Sequence, residues 1–353
     1  MVYELDSDTT ERDTRLINEA IDLVGTEQLW SGQLLYASVR LSILERLDDE
    51  PTPASEVADE LDLHPDRCYR LLRALSHFGV LDEDHDQRFT LTPVGELFLP
   101  NHPNSVRNDL LIDHSPEWIR PKLHLADIVR EGRPNGFVRE FGAEFFDYLE
   151  ETPDFGKVFN EHMTARSRRE TELVLDALDE YDFSEMIHIC DIGGGHGHLM
   201  SYLLEAQSHL EGTVLELPSV LVEEDKLWAP KLDLADRCTY EAGDMFESVP
   251  TADAYLMKSI LHDWDDEKCI RLLSNAAEAS PPDGRLFVVE LLVPGPERPH
   301  ISKRLDMTMM VFLDGRERTE QEYETLLGRA GWALEETWTS EDGPLSVLEA
   351  VRA

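Results

Sequence analysis

The stretch DIGGGHG, residues 191–197, decides the fold class of this chain. It follows a short apolar run, EMIHIC, and precedes a helical segment, HLMSYLLEAQSHL, that begins at residue 198. Glycines between a strand and a helix let the backbone turn sharply and approach a ligand closely. The helix that follows presents free backbone amides. The pattern indicates a strand, a binding loop and a helix, an arrangement that several kinds of nucleotide-binding fold share.

The alternation of strand and helix continues beyond this loop. Apolar runs at GTVLELP, RCTYEAGD, ADAYLMKS and GRLFVVELLV predict further strands, with helical stretches between them. Such alternation predicts a parallel sheet with right-handed crossovers. The last two strands, ALEETWTS and LSVLEAVRA, are joined by the short turn EDGP and predict an antiparallel hairpin at the sheet edge. Residues 181–353 are therefore expected to form one α/β domain.

The first 105 residues have a different pattern. Apolar residues at helical spacing predict helices over Leu16–Val24 and Leu29–Leu47, followed by the helical runs PASEVADELDL and HPDRCYRLLRALSHFGVL. The run LDEDHDQRFTLTPVGELFL predicts a two-stranded wing with a polar tip. Helix, helix and wing together predict a winged-helix domain over residues 1–105. Helical sequence over residues 106–180 predicts a connector between the two domains.

The charge of the chain limits its partners. Acidic residues number 73 and basic residues 32, which gives a formal net charge of −41 at neutral pH. Such a field repels phosphate backbones and anionic membrane surfaces, so neither nucleic acid nor a membrane is an expected partner. Most of the basic residues are Arg rather than Lys, which together with the acidic excess suggests a halophilic protein. At high salt the self-repulsion of an acidic surface is screened.

The cysteines and the N-terminus bear on the compartment. Cys68, Cys190, Cys238 and Cys269 form neither a CxxC pair nor a zinc-finger spacing, which favours a reduced cytoplasmic setting. The first residues lack a basic region followed by an apolar core, and no apolar run approaches the roughly 18 residues of a membrane span. A cytoplasmic protein is the expectation.

Two carboxylates follow neighbouring strands. Glu216 ends the second strand, about 20 residues beyond the glycines, where a carboxylate binds a ribose diol. Asp244 follows the third strand, where it can accept a hydrogen bond from an adenine amino group, with Met245 against the ring. Because 73 of the 353 residues are acidic, either carboxylate alone would carry little weight. The two together favour an adenosyl ligand over a dinucleotide, which has no usual need for the second acid.

The fourth strand leads to a candidate base. It ends in Lys258, which can contact a ligand carboxylate or an adenine nitrogen, because ligands bind at the carboxyl edge of such sheets. His262 follows a few residues later, and an imidazole with its ordinary pKa near 6.5 suits a general base. The carboxylates that can orient the ring are Asp263, Glu290 at the end of the fifth strand, and Glu317 in the run GRERT.

Several segments together carry a family resemblance: DIGGGHG, LELPSV, AGDMF, YLMKSILHDWDDEKCIRLLSNAAEA and GRERT, with VFNEHM and DMTMMVFLDGRERT. They resemble the plant-type O-methyltransferases, the family of the caffeic acid, acetylserotonin and hydroxyneurosporene enzymes that depend on S-adenosylmethionine. The resemblance covers nearly the whole chain. It implies a Rossmann-like class I methyltransferase domain and a winged-helix module that is used for dimerisation, and hence a homodimer.

The resemblance also implies roles for individual residues. His262 is the base, Glu290 and Glu317 orient it, and Met163 and Met309 line the acceptor pocket. The expected cofactor contacts come from the loops at the carboxyl edge of the sheet, with Glu216 in place of the family's usual Asp: Gly193, Gly194, Gly195, Glu216, Asp244, Met245 and Lys258.

The expected reaction is transfer of the sulfonium methyl group to a hydroxyl of a small molecule, phenolic or isoprenoid-like. No metal is expected, because no His, Asp or Glu cluster shows ligand spacing above the acidic background. Two alternatives stay open at this point. One is an enzyme of the same fold with a carbon, nitrogen or sulfur acceptor, or with non-methyl chemistry. The other is a winged-helix regulator whose C-terminal domain senses a small molecule.

Overall fold

A computed structural model describes residues 25–47, 50–179, 181–339 and 343–353. The predicted helix over Leu16–Val24 lies outside these residues, as do positions 340–342 at the predicted hairpin turn. The chain divides into two compact units, one ending at Trp118 and the other beginning at Ile119. This division falls within the segment predicted as a connector. Among the described residues, no helix combines the length and the apolar character that crossing a bilayer requires.

The first unit combines helices with a small antiparallel sheet of order β1-β3-β2. Its strands are β1 (Thr52–Pro53), β2 (Leu81–Glu83) and β3 (Arg88–Leu91). Its helices are α1 (Thr26–Arg40), α2 (Ala54–Glu60), α3 (Pro65–His77), α4 (Pro93–Glu96) and α5 (Arg107–Asp113), and α6 (Pro116–Ile119) follows at the boundary. The two predicted helices and the predicted pair of strands are thus present. The core lies where Leu72 and Leu75 of α3 pack against Phe89.

One predicted helix is too long. Sequence spacing predicts a helix over Leu29–Leu47, whereas α1 ends at Arg40 and only a 3-10 turn, Leu44–Arg46, follows. Ser42 adopts a left-handed backbone conformation with φ of 54°. The amide of Ile43 then bonds back to the carbonyl of Ser38 at 2.9 Å, which closes the helix end. Apolar periodicity continues through this break because both segments face the same core.

The second unit is built on a seven-stranded sheet of order β6-β5-β4-β7-β8-β10-β9. The strands are β4 (His188–Ile192), β5 (Glu211–Glu216), β6 (Cys238–Ala242), β7 (Ala254–Lys258), β8 (Arg285–Leu291), β9 (Trp332–Thr339) and β10 (Leu345–Arg352). Strands β4 to β8 pair in parallel, and β10 is antiparallel to both β8 and β9. The predicted parallel sheet and its C-terminal hairpin are confirmed.

The helices of the second unit are α7 (Leu125–Glu131), α8 (Gly136–Phe141), α9 (Phe145–Glu151), α10 (Pro153–Ala177), α11 (His198–Ala206), α12 (Pro218–Leu221), α13 (Asp266–Ala279), α14 (Ser302–Phe312) and α15 (Glu320–Arg329). The helical prediction for SVLVEEDKLWA is largely wrong. That run forms the single turn α12 and a 3-10 turn, Glu224–Lys226. The backbone leaves the helical conformation at Glu223, whose ψ is 65°, and Lys226 reaches Glu161 of α10 at 2.8 Å.

Both faces of the central strands are buried, which explains why these strands are apolar at nearly every position. Alternate residues such as Ile189 and Leu256 pack on one face with α10 and α11. Their neighbours Cys190 and Met257 pack on the other face with α13 and α15. With both faces covered, the carboxyl edge of the parallel strands is where the loops collect. All four cysteines of the chain are free and buried.

Candidate active site

The glycine loop after β4 has a backbone that only glycine adopts readily. Gly193 and Gly195 have φ of 71° and 58°, in the left-handed region. Gly194 is required for a different reason, because a Cβ there would lie 2.4 Å from Oδ2 of Asp191. At Gly195 an added Cβ would meet no heavy atom within 4 Å, so the loop is open on that side. The loop therefore presents its backbone to an unobstructed space.

Two carboxylates border this space. Glu216 accepts the amide of Gly195 at 2.9 Å and the amide of Leu217 at 2.7 Å. Burial raises the pKa of Glu216, and these two hydrogen bonds oppose the rise. Asp244 is exposed, and its Oδ1 accepts the amide of Phe246 at 2.8 Å. The amide of Gly243 bonds to the carbonyl of Glu216 at 3.0 Å, which holds the two loops side by side. Met245 is half-buried and packs against the core.

Helix α10 attaches to the glycine loop through two threonines, which the sequence analysis did not identify. The His196 ring lies 2.8 Å from the hydroxyl of Thr164, and the His198 ring lies 2.8 Å from that of Thr171. Each threonine hydroxyl also donates to a carbonyl one turn back in the helix, so the imidazole Nδ1–H is the donor to each threonine. Burial lowers the pKa of both rings, that of His198 to about 4. Both rings are therefore neutral, and their hydrogen bonds to α10 hold the glycine loop in place.

Lys258 forms a buried ion pair at the end of β7. Its Nζ lies 3.0 Å from Oε2 of Glu170 on α10, and Oε1 of Glu170 lies 2.6 Å from Nε of Arg166. Burial alone would raise the pKa of Glu170, but the two cations lower it to about 2. The predicted contact of Lys258 with a ligand stays a prediction. Its partner Glu170 is a residue that no motif indicated.

The structure brings three carboxylates to the His262 ring, as the sequence suggested. Nδ1 lies 2.9 Å from Oε1 of Glu317 and 3.5 Å from Oε2 of Glu290. Nε2 lies 3.4 Å from Oδ1 of Asp263. The ring is only 5% exposed. Oε1 of Glu290 also accepts the amides of residues 260–262, so this carboxylate shapes the loop that carries the histidine.

Electrostatics at His262 differ from those of a free imidazole. Burial lowers the pKa of the ring, but Glu290, Asp263 and Glu317 more than offset it and raise the pKa to about 10. The ordinary pKa near 6.5 therefore does not describe this ring. Burial in turn raises the pKa of Asp263 to about 6. The cluster therefore binds a proton tightly, and that proton resides mainly on the His262 ring.

Three of these groups also have the arrangement of a cation site. His262, Glu290 and Glu317 are all buried, and each offers a ligand atom within 4.8 Å of the others. Oε2 of Glu290 and Oε2 of Glu317 have no hydrogen-bond partner among the described residues. The sequence shows no metal-ligand spacing because these residues are far apart along the chain. The fold nevertheless assembles a trio with suitable ligand atoms.

The side chains around the site are rich in aromatic rings. Trp264, two residues beyond His262, stacks on Phe146 with centroids 5.5 Å apart and planes inclined by 24°. Met309 is buried on α14, and Met163 is half-buried on α10, one turn before Arg166. The assignment of the two methionines to the acceptor pocket stays a prediction. Phe146 is a further candidate that the sequence analysis missed, since its α9 carries no motif.

Comparisons with known proteins decide the family. Residues 123–333 match the O-methyltransferase domain, and residues 26–101 match the O-methyltransferase dimerisation domain. The chain belongs to the S-adenosylmethionine-dependent O-methyltransferases. Family membership makes the protein an enzyme, and this decides against the regulator alternative.

Similar methyltransferases include the phenazine O-methyltransferase of Lysobacter antibioticus, which is 35% identical over 91% of this chain and 92% of its own length. The mitomycin biosynthesis 6-O-methyltransferase of Streptomyces lavendulae is 36% identical over 92% of each chain. Among solved structures, a mitomycin 7-O-methyltransferase superposes with a TM-score of 0.87 at 35% identity, covering 96% of this chain and 99% of its own. A neocarzinostatin-pathway O-methyltransferase, solved with S-adenosylmethionine and 2-hydroxy-5-methyl naphthoic acid, has a TM-score of 0.76 at 26% identity and covers 91% and 96% of the two chains.

Proposed function

We propose that this methyltransferase methylates a hydroxyl of an aromatic small molecule and that His262 is the general base. One observation carries the proposal: a buried imidazole is hydrogen-bonded through Nδ1 to Glu317 at 2.9 Å. A carboxylate on one ring nitrogen fixes the tautomer and leaves the other nitrogen, Nε2, to accept a proton. The stacked pair Trp264 and Phe146 supports an aromatic acceptor over an isoprenoid one.

The residues at the carboxyl edge fit the cofactor. The open side of Gly195 leaves room for close approach to the backbone. Glu216 is suited to a ribose diol and the exposed Asp244 to an adenine amino group, since each offers carboxylate oxygens at a strand end. The cofactor supplies an electrophilic methyl group on a sulfonium. The chain's own residues bind and orient the reactants, which supplies acceleration by proximity.

The proton path involves three side chains. Nε2 of His262 takes the proton of the acceptor hydroxyl as the oxygen becomes nucleophilic. The new positive charge on the ring is stabilised by Glu317 at 2.9 Å and by Glu290 at 3.5 Å. The upward shift of the ring's pKa reflects the same stabilisation. The ring must be neutral before it can accept this proton, so the reaction should be favoured at alkaline pH.

The experiment that tests this function uses a methyl donor carrying an isotopically labelled methyl group. The purified protein is incubated with aromatic hydroxyl compounds, including 2-hydroxy-5-methyl naphthoic acid, and with a cell extract. Mass spectrometry then identifies the labelled product. We expect the label on an aromatic oxygen. A label on nitrogen, carbon or sulfur would contradict the proposal and support a different acceptor atom. A label on an aliphatic alcohol would support an isoprenoid acceptor instead of an aromatic one.

A second candidate mechanism is assistance by a divalent cation at His262, Glu290 and Glu317. Two buried carboxylate oxygens, Oε2 of Glu290 and Oε2 of Glu317, have no hydrogen-bond partner in the part of the chain that the structure describes, and this favours a cation there. Protein dialysed against EDTA distinguishes the two mechanisms. Full activity after dialysis supports proton abstraction without a metal, whereas activity lost and then restored by Mg²⁺ or Zn²⁺ supports the cation.

The assembly state is part of the proposal. The match to the dimerisation domain over residues 26–101 supports a homodimer. Leu29 and Trp30 of α1 are 58% and 59% exposed, which leaves apolar surface for a partner to cover. With a net charge of −41, two subunits repel each other at low ionic strength, so dimerisation should strengthen with salt. Light scattering that gives the mass of one subunit in molar KCl would contradict a homodimer.

A further inference from the structure

Arg318 is a fully buried cation near the end of the run GRERT. It is only 1% exposed, and the carboxylate that it pairs with, Asp266, is half-buried. A guanidinium has five N–H donors, and in Arg318 each of them has an acceptor. Two of the bonds go to Oδ1 of Asp266, and the other three go to the backbone carbonyls of Leu261, Trp264 and Arg316. This side chain therefore holds backbone as much as it neutralises a charge.

Two of these carbonyls belong to the histidine loop, residues 260–264, where Leu261 and Trp264 flank His262. Nη1 of the guanidinium donates to the first carbonyl and Nη2 to the second, each at 2.9 Å. The first three amides of the same loop bond to Oε1 of Glu290. A carboxylate thus meets the amides of this short turn and a cation meets its carbonyls, which is the polarity that the peptide dipoles favour. The loop is held from both ends.

The segment that carries Arg318 is packed directly against the histidine loop. A Cβ at position 315 would lie 2.0 Å from the carbonyl oxygen of His262, so the approach requires Gly315. The carbonyl of Arg318 accepts the amide of Val293 at 2.9 Å, which fixes the segment to the chain just beyond β8. Glu317 bonds the ring and Arg318 bonds the backbone, so two consecutive residues fix both parts of the histidine.

Two neighbouring side chains are poor substitutes for this guanidinium. The Cys269 thiol faces the same carbonyls of Leu261 and Trp264, at 3.1 Å and 3.5 Å, but a thiol is a weak donor with a single proton. Arg316 is exposed, and its guanidinium pairs with Asp266 at 3.3 Å. Because Arg316 shares a carboxylate with Arg318, it provides a matched control for the loss of a cation.

We propose that Arg318 is a positioning residue of the methyl-transfer reaction, which fixes the histidine loop so that the His262 ring meets the acceptor hydroxyl in one orientation. The inference rests on the proposed function, because the position of this loop affects the rate only if His262 takes part in the chemistry. A general base must lie within hydrogen-bond reach of its proton, and a displacement of about 1 Å can lower a rate by about 10²-fold. The planar fork of a guanidinium holds two carbonyls at once, which an ammonium group does not reproduce.

Hydrogen exchange at one fixed pH, measured by mass spectrometry, tests whether Arg318 holds the loop. The variant is Arg318→Lys, which keeps the charge beside Asp266 and removes the fork. We expect the amides of residues 260–264 to exchange about tenfold faster than in the wild type, the scale of one lost hydrogen bond to a charged group, while those of β4 keep their protection. In Arg316→Gln the loop should keep the protection of the wild type. Loop exchange in Arg318→Lys equal to that in Arg316→Gln overturns the inference.

Asp266→Ala is the second variant, in case Arg318→Lys does not fold. Asp266 accepts two of the guanidinium bonds from a half-buried position, so its loss loosens the guanidinium without removing it. Loop exchange should increase in the same direction and by a smaller factor. Loop exchange that stays at the wild-type rate in Asp266→Ala would overturn the inference. Because hydrogen exchange needs no acceptor, this result does not depend on the identity of the substrate.

A double-mutant cycle tests whether Arg318 acts through His262. Single-turnover methyl transfer is measured at saturating S-adenosylmethionine with the aromatic compound that takes the label. Arg318→Lys should lower this rate by about 10–10²-fold in the wild-type background and have little effect in the His262→Ala background, with unchanged cofactor affinity in calorimetry. An equal loss in both backgrounds overturns the inference. Equal rates in wild type and His262→Ala would instead contradict the proposed function on which it rests.

Discussion

Two regions of the site differ in how they are built. The glycine edge consists of the loop residues 193–195 with Glu216 and Asp244, and the His262 cluster consists of His262 with Asp263, Glu290 and Glu317. The glycine edge is made largely of backbone, is open at Gly195, and carries an exposed carboxylate at Asp244. The His262 cluster is made of side chains, is buried, and concentrates three carboxylates on one ring. An open edge suits a ligand that must enter and leave, whereas a dry cluster strengthens every charge within it. Substitutions should therefore affect binding at the first region and chemistry or stability at the second.

The largest effect should come from removing the base. His262→Ala should lower single-turnover methyl transfer by about 10²–10⁴ at saturating cofactor, the usual contribution of a positioned general base. Affinity for S-adenosylmethionine, measured by calorimetry, should barely change, because the ring belongs to the buried cluster. His85→Ala, at an exposed position, serves as the control. Equal rates in wild type and His262→Ala would remove the histidine from the mechanism.

The next effect separates two carboxylates within the cluster. Glu290 is fully buried and accepts three backbone amides, so Glu290→Ala should lower the free energy of unfolding by about 3–5 kcal/mol. Glu317→Gln should keep the fold and lower the rate, because Glu317 bonds the ring itself. Denaturant unfolding and single-turnover rates measure the two outcomes, with exposed Glu172→Ala as control. If both variants lost stability equally, Glu317 would be a structural residue.

A smaller effect is expected at the open edge. Asp244→Ala and Glu216→Ala should each weaken cofactor binding by about 1–3 kcal/mol, the scale of a lost hydrogen bond to a charged group. The chemical step at saturating cofactor should remain near the wild-type rate. Calorimetry measures the binding, and Glu247→Ala, an exposed acid on the same loop, is the control. Unchanged affinity in both variants would show that the edge binds something other than an adenosyl group.

The last effect is graded, because it varies continuously with pH. The folded pKa of His262 is raised to about 10, above its ordinary value near 6.5. The rate should therefore still rise with pH above neutrality, as the fraction of neutral ring grows. The stability that the protonated ring contributes is fully present below pH 6.5 and is lost as pH rises through the folded pKa. A rate that levels off near pH 7 would contradict this assignment.

The sequence could predict the sheet, the glycine loop and the strand-end residues because each is a local pattern. Glu216 ends a strand, and Asp244 and His262 each follow one, so the order of strands predicts that all three lie at the carboxyl edge of the sheet. The residues of α10 could not be found in this way. Glu170 meets Lys258 across 88 positions of the chain, and one acid among 73 gives no signal of its own. The left-handed turn at Ser42 was missed for a related reason, since apolar spacing continues across it.

The four buried cysteines have a practical consequence for labelling chemistry. Burial raises the pKa of every one of these thiols, to about 12 for Cys238 and Cys269. The thiolate is the reactive form of cysteine, so the native protein should be nearly unreactive toward maleimide reagents at neutral pH. A single thiol introduced at a surface position such as Val222, which is 74% exposed, would then take a fluorophore selectively. Site-specific labelling of this protein therefore does not require that its native cysteines first be replaced.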